Sequence, residues 1–143
     1  MSICSVQSNI VKNGDVLLAS TGDGTLGKCC VYDKKFPAIA DGHVTIIRVD
    51  KKVIDPYYLA DYLRCGFGAS QINRLYSGST GLIELTPEQV DVILIDIMLD
   101  KEGVDIQKKK SKSIRNIEKK YQKQIEKAEK TLIGIEDVWE ETD

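Results

Sequence analysis

Apolar residues recur along this chain with two different periods, and the change from one to the other divides it. Val16-Leu17-Leu18-Ala19 is a short apolar run entered through the turn pair Asn13-Gly14 and left through Gly22-Asp23-Gly24, which reads as a buried strand over Asp15 to Ser20. Lys28 to Tyr32 reads as a second, shorter strand, and the β-branched stretch His43 to Val49, bounded by Asp41-Gly42 and Asp50, as a third. Tight turns between successive strands imply antiparallel pairing. At Asp55-Pro56 the texture turns helical: Asp55 is placed to cap, Pro56 to take the first helical position, and Tyr58, Leu59, Tyr62 and Leu63 follow at helical spacing up to Cys65-Gly66. A second short helix is expected over Ala69 to Leu75, and a loop over Gly78-Ser79-Thr80-Gly81. A helical turn follows from Thr86-Pro87-Glu88-Gln89, with Gln89 at the reciprocal capping position, and then a strand over Val90 to Ile95.

From about Asp105 the pattern is that of one long helix. Ile114, Ile117, Tyr121, Ile125, Ala128, Leu132, Ile135 and Trp139 are spaced 3, 4, 4, 3, 4, 3 and 4, a continuous apolar stripe. The repeated four-residue step ending at Ile125 is a stutter that locally unwinds a left-handed supercoil. A stripe of this length exceeds what the preceding residues cover, so part of it is expected to meet another helix. The fold class predicted is α+β: a small, mostly antiparallel, barrel-like sheet domain with short helices over residues 1–100, then a long coiled-coil helix over residues 101–143.

Composition narrows the class of protein. An apolar fraction of 42% and a charged fraction of 29% over 143 residues suit a folded domain and disfavour disorder or a fibrous repeat. No apolar run approaches the roughly 18–20 residues of a membrane span, and Met1-Ser2-Ile3-Cys4 lacks the regions of a signal peptide, so a cytoplasmic protein is expected. Cys4, Cys29, Cys30 and Cys65 read as free thiols, because adjacent Cys29 and Cys30 on a strand face opposite ways. Zinc would want a close cysteine pair or a second histidine, and His43 is alone. The net charge of −2 conceals ten basic against three acidic residues between Ile106 and Gly134, followed by an acidic tail. Charge on the polar face of a coiled coil accounts for the lysines, and the whole-chain balance argues neither for nor against a polyanionic partner.

Candidate chemistry changes the picture little. Gly22 to Lys28 fits the first seven positions of a phosphate-binding loop after a buried strand, and Val92 to Asp96 imitates the metal-binding strand of that class. Cys29 stands where a magnesium-holding hydroxyl belongs, however, and Cys30-Val31-Tyr32 reads as extended where a helix is needed, so a hairpin turn is the better reading. No acid pair, nucleophile elbow or metal cluster emerges, and His43, placed in a strand, reads as packed or solvated. The chain is expected to be no catalyst.

Three blocks in order carry a resemblance. Asn13 to Gly22 with Leu26-Gly27-Lys28, then Asp55 to Leu63 with Gln71-Ile72 and Gly78-Ser79-Thr80-Gly81, then Leu85 to Ile95, resemble segments of the target-recognition domains in specificity subunits of type I restriction-modification enzymes. The chain resembles the later part of such a domain, joined to the long helix that follows it. The resemblance implies a non-catalytic DNA-recognition subunit that binds double-stranded DNA, directs modification (methyltransferase) and restriction subunits, and binds neither S-adenosylmethionine nor ATP itself. It implies a homodimer through the helix, at Ile114, Ile117, Tyr121, Ile125, Ala128, Leu132 and Ile135. DNA contact is expected at Thr21, Lys28, Arg74, Ser77, Ser79 and Thr80, in or beside turns of the matching blocks. Tyr57, Tyr58 and Tyr62 are expected in the core. The rival reading is a structural dimerisation module, or a degenerate fragment, that binds no DNA.

Overall fold

The structure, a computed structural model, describes residues 4–5, 9–79, 82–98 and 100–140, with side chains described over 9–79, 82–98 and 100–132. Its architecture is α+β. The strands are β1 (Cys4–Ser5), β2 (Ile10–Val11), β3 (Val16–Ala19), β4 (Cys29–Val31), β5 (Ala38–Ile39) and β6 (Val44–Val49). Then come α1 (Pro56–Arg64), α2 (Gly66–Leu75), β7 (Ser77–Ser79), β8 (Leu82–Glu84), α3 (Pro87–Asp91) and α4 (Lys101–Glu140).

Four strands form one sheet in the order β1-β6-β3-β4, with every pairing antiparallel. The register sets Val16 against Ile47 and Val31, and Leu18 against Thr45 and Cys29. Period-two alternation therefore sends Val16, Leu18, Cys29 and Ile47 into one core, while Leu17 and Cys30 face the other way. That core is closed by Leu59, Ala60 and Leu63 of α1, Ile72 of α2, and Ile54, Leu85 and Val90.

The start of α1 follows its capping chemistry: Asp55 Oδ1 accepts from the Tyr58 N–H at 3.0 Å and Pro56 occupies the first turn. The second helix begins at Gly66, three residues before the expected Ala69. Gly66 takes a φ of 57°, which turns the chain and restarts the helix at once. Gly68 then lies so close to the Tyr62 carbonyl that a Cβ there would strike it, so these two glycines permit the tight α1–α2 corner.

Two expectations fail in the stretch after α2. Ser77–Ser79 is a strand and not a loop, paired antiparallel with Leu82–Glu84 in the register Ser77 to Glu84. Its three residues are all exposed, so no burial pattern in the sequence marks it. Thr80 and Gly81 lie outside the described residues. The strand expected over Val90 to Ile95 is also absent: Val90 and Asp91 complete α3, Val92 caps it, and residues 93–98 belong to no strand among the described residues. Ile93, Ile95 and Ile97 pack on the core while Val92, Leu94 and Met98 are exposed. Side chains replace the missing ladder. Gln71 donates to the Leu94 carbonyl at 2.9 Å and accepts from the Leu94 N–H at 2.8 Å, and Tyr62 and Tyr58 donate to the carbonyls of Leu94 and Asp96.

The long helix starts at Lys101, before the apolar period becomes legible, because Asp100 Oδ1 accepts from the Gly103 N–H at 2.7 Å. The chain forms two compact units, Met1–Lys108 and Lys109–Asp143. The helix start and the packing boundary are therefore different divisions of the chain. Val104 and Gln107 are buried in the first unit, where Gln107 Oε1 accepts from the Asp55 N–H at 2.8 Å.

Candidate functional site

The expected contact residues gather around the end of β3. Ser20 and Gly22 stitch the β7–β8 hairpin to it: Leu85 N–H donates to the Ser20 carbonyl at 2.8 Å, and Gly22 N–H to the Ile83 carbonyl at 3.1 Å. Thr21 bridges Glu84, and Glu84 is the register partner of Ser77, so Thr21 and Ser77 flank one glutamate. Ser79 is two residues further along the same strand. Arg74 is exposed on the last turn of α2, just before this strand. Lys28 is exposed at the end of the Gly22–Lys28 loop, which reaches α2 at Gly27, where a Cβ would lie 3.6 Å from Ile72. Among the described residues the ion pairs include Asp33–Lys34, Asp15–Arg48 and Asp61–Arg64, and neither Lys28 nor Arg74 takes part in one. Thr80 lies outside the described residues.

Two members of this rim escaped the sequence reading. His43 sits in the turn before β6 and not in a strand, with its N–H donating to Asp41 Oδ1 and its ring Nδ1 2.8 Å from Thr21 Oγ1. The Asp41-Gly42 turn pair was the available signal. Glu84 had none, since its importance comes from the bridge to Thr21. A groove of about 300 Å3 beside them is lined in part by Ser20, Asp41, Thr45 and Glu84. Its two charged residues are both acidic, so an anionic ligand is repelled there and favoured on the Lys28 and Arg74 side.

The Gly22–Lys28 segment is a hairpin connection. Thr25 and Leu26 N–H groups donate to the Gly22 carbonyl, Gly27 to Ala19 and Lys28 to Thr25, while Thr25 Oγ1 donates to the Thr21 carbonyl at 2.7 Å. Amides that would cradle a phosphate are thus spent inside the chain, and Cys29 enters a strand where a helix would be required.

Beneath the sheet, Asp15 is 3% exposed and accepts from Arg48 Nε at 2.8 Å, Arg48 Nη2 at 2.6 Å and the Lys12 N–H at 2.7 Å. Burial pulls its carboxyl upward, but the Arg48 hydrogen bonds, the Lys12 N–H and the neighbouring cations outweigh it and hold the group below the usual carboxylate value. Burial pushes the Cys29 thiol up to about 12, with Cys30 adding to the effect. Cys29 is buried and Cys30 exposed, the opposed placement expected of strand neighbours, and both are free, as is Cys65. Tyr58 and Tyr62 lie partly buried with their hydroxyls spent on the 92–98 segment. Among the described residues no cluster of three metal-ligating side chains occurs.

Along α4 the apolar stripe is bare: Ile117, Tyr121, Ile125 and Leu132 are 51–60% exposed, and Ile114 and Ala128 are also exposed. The side chain of Ile135 lies outside the described residues. No described helix is long and apolar enough to cross a membrane. No protein-family model matches the chain, and no curated protein matches it in sequence.

Proposed function

We propose that this chain is a cytoplasmic DNA sequence-recognition subunit of a type I restriction-modification enzyme, without catalytic activity of its own. The observation that carries the reading is the pairing, on one chain, of two surfaces. One is a rim of exposed polar and cationic side chains held by a rigid sheet; the other is a 40-residue helix with a bare apolar stripe. Lys28 and Arg74 supply charge for phosphates, and Thr21, Ser77 and Ser79 supply short hydrogen-bonding groups. Dimerisation through α4 would place two such rims on one duplex, where modification and restriction subunits act.

Energetics support a reversible dimer. Burying what remains exposed of the stripe contributes roughly 1 kcal/mol for each large side chain, about 10 kcal/mol for the five described on each of two helices, against an association cost of about 4–15 kcal/mol. The stripe alone therefore yields a weak pair. Light scattering across a micromolar concentration series reads this, and Ile117→Lys with Ile125→Lys should abolish the dimer. Selection from randomised duplex DNA, with the modification subunit co-expressed, should return a split motif. A dimer that selects no DNA and binds no modification subunit would instead make the chain a structural dimerisation module.

A further inference from the structure

A continuous α4 fixes where the eight lysines of residues 109–130 fall: Lys110 lies in the apolar sector, and the other seven gather on the polar face with Glu126 the one acid beside them. At about 100° per residue, Lys112, Lys119, Lys123 and Lys130 share a sector about 40° wide, opposite the Ile114 to Leu132 stripe. Lys109, Lys120 and Lys127 form a shoulder on one side. Glu118 and Glu129 lie nearer the apolar stripe on the other flank, and Glu126 stands at the border of the sector. From Lys112 to Lys130 the row spans about 27 Å at the helical rise of about 1.5 Å per residue. All seven lysines are exposed, and none takes part in an ion pair among the described residues.

This arrangement works against the isolated helix. Lys119 with Lys123, and Lys123 with Lys127, are like charges four residues apart, each pair unfavourable by roughly 0.2–0.5 kcal/mol. A counter-charge along the ridge would remove that cost. The ridge offers nothing apolar, and lysine is depleted from the cores of protein interfaces, so a folded acidic partner would find little to pack against. It has no aromatic side chain on which unpaired bases could stack. Lysine is a point charge without the planar fork that reads base edges. What remains is a row of phosphates.

We infer that the lysine ridge of α4 binds the phosphate backbone of duplex DNA without regard to sequence, on the face that dimerisation leaves outside. This deepens the DNA-recognition reading and rests on it. It divides the labour: the helix supplies salt-sensitive affinity, and the body supplies choice of site.

The test is fluorescence anisotropy of the full chain with a random-sequence duplex across a salt series. Changing Lys112, Lys119, Lys123 and Lys130 together to Gln should flatten the plot of log affinity against log salt by about 3–4, since each lost phosphate contact removes about 0.9. The matching quadruple Lys→Arg variant should keep the slope. Circular dichroism should show α4 intact in both, because Gln relieves the repulsion. An unmoved slope in the Gln variant, no duplex binding by the parent chain at low salt, or tighter binding to polyglutamate than to DNA would each overturn the inference. Failure of the two readings is distinguishable. A chain that selects a split target with an unmoved slope keeps the recognition reading and loses the ridge. Equal binding to every duplex, with a slope the Gln variant reduces, keeps the ridge and loses the recognition reading.

Discussion

Replacing Arg48 by Met tests the account of how the sheet tolerates a buried carboxylate. The side chain of Asp15 is 4% exposed and that of Arg48 38% exposed, joined at 2.6 Å, with a second bond at 2.8 Å from Arg48 Nε. Stripping the partner from a fully buried charge costs about 3–5 kcal/mol, but Arg48 reaches water, so screening reduces the expected loss to about 2–3 kcal/mol at pH 7. The pH dependence follows from the direction of the Asp15 shift. Its folded-state value lies below the ordinary carboxylate value of about 3.9, so the pair's contribution is complete above that value and is lost as pH falls through the folded one. In Arg48→Met, burial acts on Asp15 with only the N–H and charge of Lys12 to oppose it, and protonation then relieves the variant. The stability gap, read from urea midpoints at pH 7, 5, 4 and 3, should therefore narrow on acidification. A gap under about 0.5 kcal/mol at pH 7, the range of ordinary surface substitutions, or one constant down to pH 3, would refute the reasoning.

Three further outcomes are expected. Gln71→Ala removes both bonds to Leu94 and should cost about 1–2 kcal/mol in urea unfolding, with faster amide exchange at Leu94 than global destabilisation explains. Thr86→Ala breaks the capping box of α3, in which Gln89 also bonds the Thr86 N–H at 2.8 Å, and should lower stability by about 1 kcal/mol in the same assay. With the Cys29 thiol raised to about 12, iodoacetamide at pH 8 should alkylate Cys30 and Cys65 in the folded protein and leave Cys29 unmodified by peptide mass spectrometry.

What was legible in the sequence was local chemistry backed by burial. Val16 to Ala19, the Asp55-Pro56 cap and the Thr86 to Gln89 box all act within a few residues, and each reads directly from residue type. The segment 92–98 misled because its apolar residues alternate as a strand's do, and only the fold reveals that Gln71, Tyr58 and Tyr62 occupy the place of a neighbouring strand. Ser77–Ser79 misled in the opposite sense, as its bonds are made by backbone that its Gly and Ser side chains do not advertise. At the candidate site, turn residues located Thr21 and Ser77. The bridge through Glu84 and the ring contact of His43 join positions more than twenty residues apart, which no local pattern encodes.

The rim is separable from the structure that holds it. Lys28, Arg74, Ser77 and Ser79 are exposed and none belongs to the core, so most replacements there should change folding free energy by no more than about 0.5 kcal/mol. Gly78 between them is the exception, since its φ of 124° and its approach to the Leu82 carbonyl exclude a side chain. The hairpin's path is thus fixed while its chemistry is free to drift. Natural variation can rewrite this edge one residue at a time, with the sheet inherited unchanged.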